Sequence, residues 1–231
     1  MTSSQHIRSA FDRDLEMITS KMLKMGGLVE SSIIDAAEAF ENRDLELAQN
    51  VRKRDKKIDA LEAEINEDIT RIIALQAPAA SDLRTLLSIL KIAGNLERIG
   101  DYSKNIARRS QVIVTEEEFD RLPVNIIGLG THVQELLHQV LDAYMELDIE
   151  KAMKIWESDV ETDRLYLSIF KETLQAMTEH SDNVKMMTHL IFMSKNLERI
   201  GDYTTSIAKQ TYFLIEGKVP ETKRPKAMTT F

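Results

Sequence analysis

From Ile7 to about Asn42 the residues Ile7, Phe11, Leu15, Ile18, Met22, Met25, Val29, Ile33, Ala36 and Phe40 recur three or four positions apart. That spacing lays one apolar stripe along a long amphipathic helix. Asp44 reads as the N-cap of a second helix, Leu45 to about Leu75, whose stripe runs through Val51, Ile58, Leu61, Ile65, Ile69 and Ile72. Pro78 breaks it, and Ser81 or Asp82 is placed to cap a third helix reaching about Thr115, with Leu83, Leu86, Leu90 and Ala93 on one face. After an acidic linker, Glu116 to Asp120, and Pro123, the pattern restarts. A fourth helix to about Leu147, a cap at Asp148, a fifth helix to about Met177, a polar loop around His180 and a sixth helix complete it.

The restart is an internal repeat. Ala39-Phe40 aligns with Ala143-Tyr144, Asp44-Leu45-Glu46 with Asp148-Ile149-Glu150, and Asp55 and Asp59 with Asp159 and Asp163. Three residues fewer separate the second and third helices of the second copy, where a connection tolerates a change of length. Helices of about thirty residues are roughly 45 Å long, and short connections make neighbours antiparallel. The prediction is an all-α fold of two tandem antiparallel three-helix bundles, at 5–115 and 123–216, followed by a C-terminal tail at 217–231. Gly26, Gly27, Gly128 and Gly130 are read as letting the first helix approach its neighbours. Gly94, Gly100 and Gly201 are read as serving close helix packing or leaving room beside acidic side chains.

The most distinctive stretch is an octapeptide used twice, Asn-Leu-Glu-Arg-Ile-Gly-Asp-Tyr, at Asn95 to Tyr102 and Asn196 to Tyr203. Each copy stacks two carboxylates one helical turn apart, Glu97 with Asp101 and Glu198 with Asp202. Such pairs are common on solvated helix faces, and the chain holds 38 Asp and Glu, so the spacing alone carries little. Position carries more. In an antiparallel hairpin Asp55 and Asp59 lie level with Asp101 and Glu97 about a loop centre at Pro78. Asp159 and Asp163 lie level with Asp202 and Glu198 about a centre between His180 and Ser181. By helical angle, Glu97 and Asp101 continue the stripe of Leu83, Leu86 and Leu90.

Two carboxylates ~5 Å apart repel by roughly 3 kcal/mol at an effective dielectric near 20. Four together need protonation, basic partners or a bound cation. Arg98 and Arg199 project about 100° away from Glu97 and Glu198 and make imperfect partners. An all-oxygen site suits Fe(III), Mn, Mg or Ca, with Zn also accommodated. Glu30 and Glu135 are weaker candidate ligands, and the His138/Asp142 pair reads as structural.

Composition narrows the classes. No cysteine is present, so disulfide frameworks and thiolate metal sites are excluded, which suits the cytoplasm. No run of eighteen apolar residues occurs, and the N-terminus lacks a signal-peptide core. A net charge of -8 argues against nucleic acid as a partner, despite local basic patches at Arg52 to Lys57 and Lys223 to Lys226. There is no Glu-x-x-His pair of a ferritin-like oxidase, no P-loop and no nucleophile elbow, and no catalytic nucleophile stands out.

At the octapeptides and their upstream acids the chain resembles the PhoU family, the cytoplasmic accessory proteins of phosphate-specific transport. The resemblance spans nearly the whole chain. It implies two three-helix bundles carrying E(D)-x-x-x-D motifs at Asp55-Asp59, Glu97-Asp101, Asp159-Asp163 and Glu198-Asp202, and multinuclear iron or zinc clusters on those acids. It further implies a homodimer, contact with the phosphate importer's ATPase subunit and a sensor histidine kinase, and negative regulation of the phosphate-starvation response. Membrane contact would then be peripheral and only through partners. The copies differ beside the acids, with Gly94 against Lys195 and Asn105 against Ser206, so two similar clusters with unlike surroundings are expected. Two other readings remain open at this stage: a metal-dependent phosphohydrolase using two-metal chemistry, and a helical scaffold whose acids bind nothing.

Overall fold

The computed structural model describes residues 3–116, 124–179 and 181–221. Positions 117–120, Pro123, His180 and Lys223 to Lys226, all named above, lie outside them. Among the described residues seven helices follow in order: α1 Ser3–Glu41, α2 Leu45–Gln76, α3 Ala80–Glu116, α4 Ile126–Glu146, α5 Ile149–Glu157, α6 Asp159–Glu179 and α7 Val184–Glu216. A single 3₁₀ turn, Ser181–Asn183, leads into α7. The described residues contain no strand, and none of their helices is long and apolar enough to cross a membrane.

The repeat is visible down to its turns. Asp44 accepts a hydrogen bond from the Leu47 amide, and Asp148 accepts one from the Lys151 amide, each at 2.9 Å. Both aspartates follow a non-glycine residue in the left-handed region, Arg43 (φ 55°) and Leu147 (φ 52°). Both donate their own amide to an alanine carbonyl five residues back, Ala39 and Ala143, again at 2.9 Å. The side-chain cap and the backbone bonds together hold a turn that a β-carbon would otherwise disfavour.

Two expectations about helix ends are corrected. The third helix begins at Ala80, and the Leu83 amide bonds the Ala79 carbonyl at 2.8 Å. The Ala77–Pro78–Ala79 turn therefore starts it, leaving Ser81 and Asp82 inside the first turn rather than at the cap. The expected fifth helix is two, α5 and α6, divided at Ser158. The Ser158 amide is shared between the Lys154 and Ile155 carbonyls at 3.0 and 3.1 Å, and its Oγ donates to the Ile155 carbonyl at 2.7 Å. A short hydroxyl that bonds its own preceding turn competes with the helical ladder. At the matching place in α2 stands Arg54, which instead reaches across to Asp35 of α1 at 2.6 Å.

The helices share one apolar core. Ile18, Met22 and Val29 of α1, Ile58, Ile65 and Ile69 of α2 and Leu86, Ile89, Leu96 and Ile99 of α3 are buried in it with Val133 and Val140 of α4 and Leu190, Met193 and Leu197 of α7. α3 and α7 pack antiparallel where the α1–α3 and α4–α7 sets meet, bringing Lys91 to Phe213, Tyr102 to Tyr203 and Arg109 to Phe192. α1 packs on α4 beside them, and here two glycines act as expected. A β-carbon on Gly26 would stand 2.6 Å from Leu141 Cδ1, and one on Gly130 would stand 3.0 Å from Ala37 Cβ. Gly27 meets nothing within 4 Å, and Gly128 faces its own cap residue, Asn125, so neither serves the approach of α1.

Candidate functional site

Each acidic face is a seam between two antiparallel helices, α2 with α3 and α6 with α7, and the same contact sets the height of both. A β-carbon on Gly100 would sit 3.2 Å from Ile58 Cδ1, and one on Gly201 would sit 2.8 Å from Thr162 Cγ2. Ile58 and Thr162 are repeat equivalents, as are the two glycines. The missing side chains let the helices close beside Asp55/Asp101 and Asp159/Asp202. Gly94, by contrast, faces open space.

In the first face Asp55 is buried, 5% exposed, while Glu97 and Asp101 are partly open and Asp59 is exposed. Lys104, one turn beyond Asp101, donates to Asp55 Oδ2 at 2.6 Å and to Asp101 Oδ1 at 2.7 Å. Burial acts to lower the pKa of this ammonium, but the two carboxylate hydrogen bonds outweigh it and raise the value overall. Arg98 lies 3.4 Å from Glu97 and 3.5 Å from Asp101. It reaches both acids more closely than its angle suggested, because a long guanidinium side chain can fold back along the helix. The Glu97 carboxyl is raised above its ordinary value by burial first and by Asp101 next. Asp59 is raised by burial and then by Asp55. Glu97 and Asp59 therefore sense the neighbouring acids of the seam. Glu97 and Asp101 flank the buried line of Leu96, Ile99 and Gly100 rather than continue it.

In the second face Asp159 and Glu198 are buried, at 2% and 7% exposed, while Asp163 and Asp202 are partly open. Lys195 meets Glu198 Oε1 at 2.8 Å, and Arg199 lies 3.9 Å from Glu198 and 3.4 Å from Asp202. Lys195 also stands over the Tyr166 ring at 5.0 Å. His132 of α4 approaches the Thr162 hydroxyl at 3.2 Å. The last residues of the two octapeptides, Tyr102 and Tyr203, meet ring to ring at 5.8 Å, so the faces adjoin across the α3–α7 seam.

The acid set is all hard oxygen, and buried Asp55 Oδ1 and Glu198 Oε2 accept no hydrogen bond, which is the donor chemistry a hard cation needs. Among the described residues, however, no three Asp, Glu or His side chains converge to hold one ion. In the first face the Lys104 ammonium already bridges Asp55 and Asp101. Glu30 turns instead toward His138 at 3.4 Å, and Glu135 is exposed. Lys104 and the pairing of Lys195 with Glu198 escape a reading of acids alone. The available signal was a lysine three residues from an acid on the same helix face, on opposite sides of it in the two copies.

A family model for the PhoU domain matches residues 22–110 and 126–211. A protein of Zymomonas mobilis, named a phosphate-specific transport system accessory protein PhoU homolog, is 42% identical over 96% of this chain and 93% of its own length. The Escherichia coli K12 protein named phosphate-specific transport system accessory protein PhoU is 34% identical over 93% of this chain and 89% of its own. The crystal structure of PhoU from Pseudomonas aeruginosa superposes with a TM-score of 0.86 at 37% identity, covering 90% of this chain and all of that one. That of the phosphate transport system regulatory protein PhoU from Streptococcus pneumoniae gives 0.83 at 25% identity over 92% of this chain. With its octapeptides, its paired seams and these likenesses extending along nearly its whole length, the chain belongs to the PhoU family.

Proposed function

We propose that the protein is a non-enzymatic accessory protein of phosphate-specific transport. In the cytoplasm, as a homodimer, it serves as an adaptor between the importer's ATPase subunit and a sensor histidine kinase and restrains the phosphate-starvation response. The names of the relatives support the transport role. A disruption strain carrying a phosphate-starvation reporter tests the regulation. Reporter activity in ample phosphate is expected, and a silent reporter would count against this reading.

We further infer that the eight acids Asp55, Asp59, Glu97, Asp101, Asp159, Asp163, Glu198 and Asp202 hold multinuclear metal clusters, iron or zinc in the first place and manganese, magnesium or calcium otherwise. The observation that carries this is the equal height of the two acid sets, each with a buried carboxylate oxygen that accepts no hydrogen bond. Bound metal would neutralise the seam and tie its two helices together. Elemental mass spectrometry of the purified protein, beside a variant carrying Asp101→Ala and Asp202→Ala, tests it. Several equivalents of metal per chain, lost in the folded variant, are expected.

A metal-free scaffold is the second reading, and Lys104 favours it, because its bonds to Asp55 and Asp101 already neutralise much of one face. Chelator that leaves the unfolding midpoint unchanged or raises it would select that reading.

A further inference from the structure

A cleft of about 160 Å³ between the C-terminal part of α3 and the start of α7 is lined by Asn105, Arg108, Arg109, Val112 and His189. It is locally basic on a chain of net charge -8. Neither guanidinium forms an ion pair with any described carboxylate. Arg109 is held in place. Its Cζ lies 4.3 Å over the Phe192 ring, and its Nη1 is 3.3 Å from His189 Nδ1. A guanidinium can only donate, so His189 Nδ1 is the acceptor of this contact and the imidazole helps to fix the Arg109 fork. Burial, then the neighbouring Arg108, lowers the Arg109 pKa, as expected of a partly buried guanidinium with no described carboxylate beside it.

The fold does not require this cluster. The repeat equivalents of Arg108, Arg109 and His189 are Lys209, Gln210 and Ser88, and the second copy packs there without a second arginine. Two arginines and an asparagine line a volume holding roughly five waters at ~30 Å³ each. That is below the ~300 Å³ at which pockets begin to enclose a drug-sized ligand. Planar forks of this kind match the oxygens of a tetrahedral oxyanion.

We propose that this cleft binds a phosphate-class oxyanion, either free inorganic phosphate or the terminal phosphate of a phosphomonoester whose remainder projects into solvent. The site is separate from the acid seams and does not depend on their binding metal. Arg109 and Arg108 grip the oxygens, Asn105 donates from the side, and His189 positions Arg109.

Calorimetric titration of the full, chelator-treated chain at constant ionic strength tests this, with inorganic phosphate in one arm and AMP in the other. Saturable binding in either arm is expected, weakened roughly tenfold or more by Arg108→Glu and by Arg109→Gln. Saturation by phosphate identifies the free anion as sufficient, and saturation by AMP alone identifies a phosphomonoester. Arg108 is exposed, so its variant keeps the fold even where loss of the Arg109–Phe192 contact impairs the other, and circular dichroism verifies this. No saturable binding in either arm, or binding undiminished in folded Arg108→Glu, would overturn the proposal. So would binding lost in Asp101→Ala but retained in Arg108→Glu, which would move the anion to the acid seams.

Discussion

The two acid seams bury equivalent aspartates by different means. Asp55 lies in the middle of α2, far from either helix end, and a lysine from the facing helix compensates it. The equivalent of Lys104 in the second copy is Thr205. There the helix is interrupted instead, and Asp159 becomes the first residue of α6, where the partial positive charge of a helix N-terminus favours a carboxylate. Lys195, standing where the first copy has Gly94, then takes the burden at Glu198. The repeat keeps the heights of the acids and lets the counter-charge be a local solution.

The largest effect that could break this contrast is removal of each lysine. Lys104 serves a buried and a half-open carboxylate at once, so Lys104→Met should cost about 2 kcal/mol, a figure that allows for its partial exposure. Lys195→Met, which loses one ion pair, should cost less than about 1 kcal/mol. Urea denaturation in chelator measures both, and equal losses would mean that bridging two carboxylates gives Lys104 no advantage over a single pair. A tight-binding cation filling the first seam should narrow the gap.

Next in size are the glycines that set seam height. A methyl at Gly201 meets Thr162 at 2.8 Å, inside van der Waals contact, whereas one at Gly100 meets Ile58 at 3.2 Å, where a flexible end can yield. Helix propensity returns up to ~1 kcal/mol in each case. Gly201→Ala should therefore lose about 1.5 kcal/mol net, while Gly100→Ala stays within roughly 0.5 kcal/mol of the parent. Thermal unfolding distinguishes them. A neutral Gly201→Ala would show that Thr162 can rotate away.

The caps sharpen the contrast by showing where the copies agree. Asp44→Ala and Asp148→Ala each remove one side-chain acceptor at 2.9 Å from a first-turn amide. Each should lose about 1 kcal/mol, and by the same amount. A clear inequality in chemical denaturation would mean that the short α5 depends on its cap more than the long α2 does.

These caps were legible in the sequence because an Asp before an amphipathic run reports on bonds within four residues. So was the helical fold, since every apolar stripe repeats many times. The heights of the acids were legible too, because antiparallel pairing follows from residue numbers alone. The interruption at Ser158 was not, since it depends on one hydroxyl competing with one carbonyl and leaves the apolar period intact. Nor was the bridging by Lys104. Numbering places an ammonium near an acid, but which side of the seam it enters depends on the lean of both helices and on Gly100 closing the gap. The setting of Arg108-Arg109 was not legible either, since it depends on α7 bringing Phe192 and His189 against α3.

The smallest expected effect concerns the repulsion left in the first seam. The folded-state pKa of Glu97 lies above its ordinary value of 4.5, so folding disfavours its ionised form. That penalty is fully present above the folded pKa, shrinks as pH falls through it, and is absent below about 4.5. Glu97→Gln should thus gain roughly 0.5 kcal/mol at neutral pH, about 2 °C in Tm, and the gain should vanish by about pH 4. Glu198→Gln should do the opposite at neutral pH, because it breaks the 2.8 Å ion pair with Lys195. Melting curves of both variants and the parent in chelator, from pH 7 down to about 4, measure the contrast. A Glu97→Gln that loses stability at neutral pH would mean that Arg98, rather than the neighbouring acids, dominates this carboxylate. Repeating the series with iron or zinc tests the proposed clusters: if Glu97 is a ligand, a carboxylate that repels its neighbours in the metal-free protein would instead hold the metal. The same substitution would then turn from a small gain into a loss.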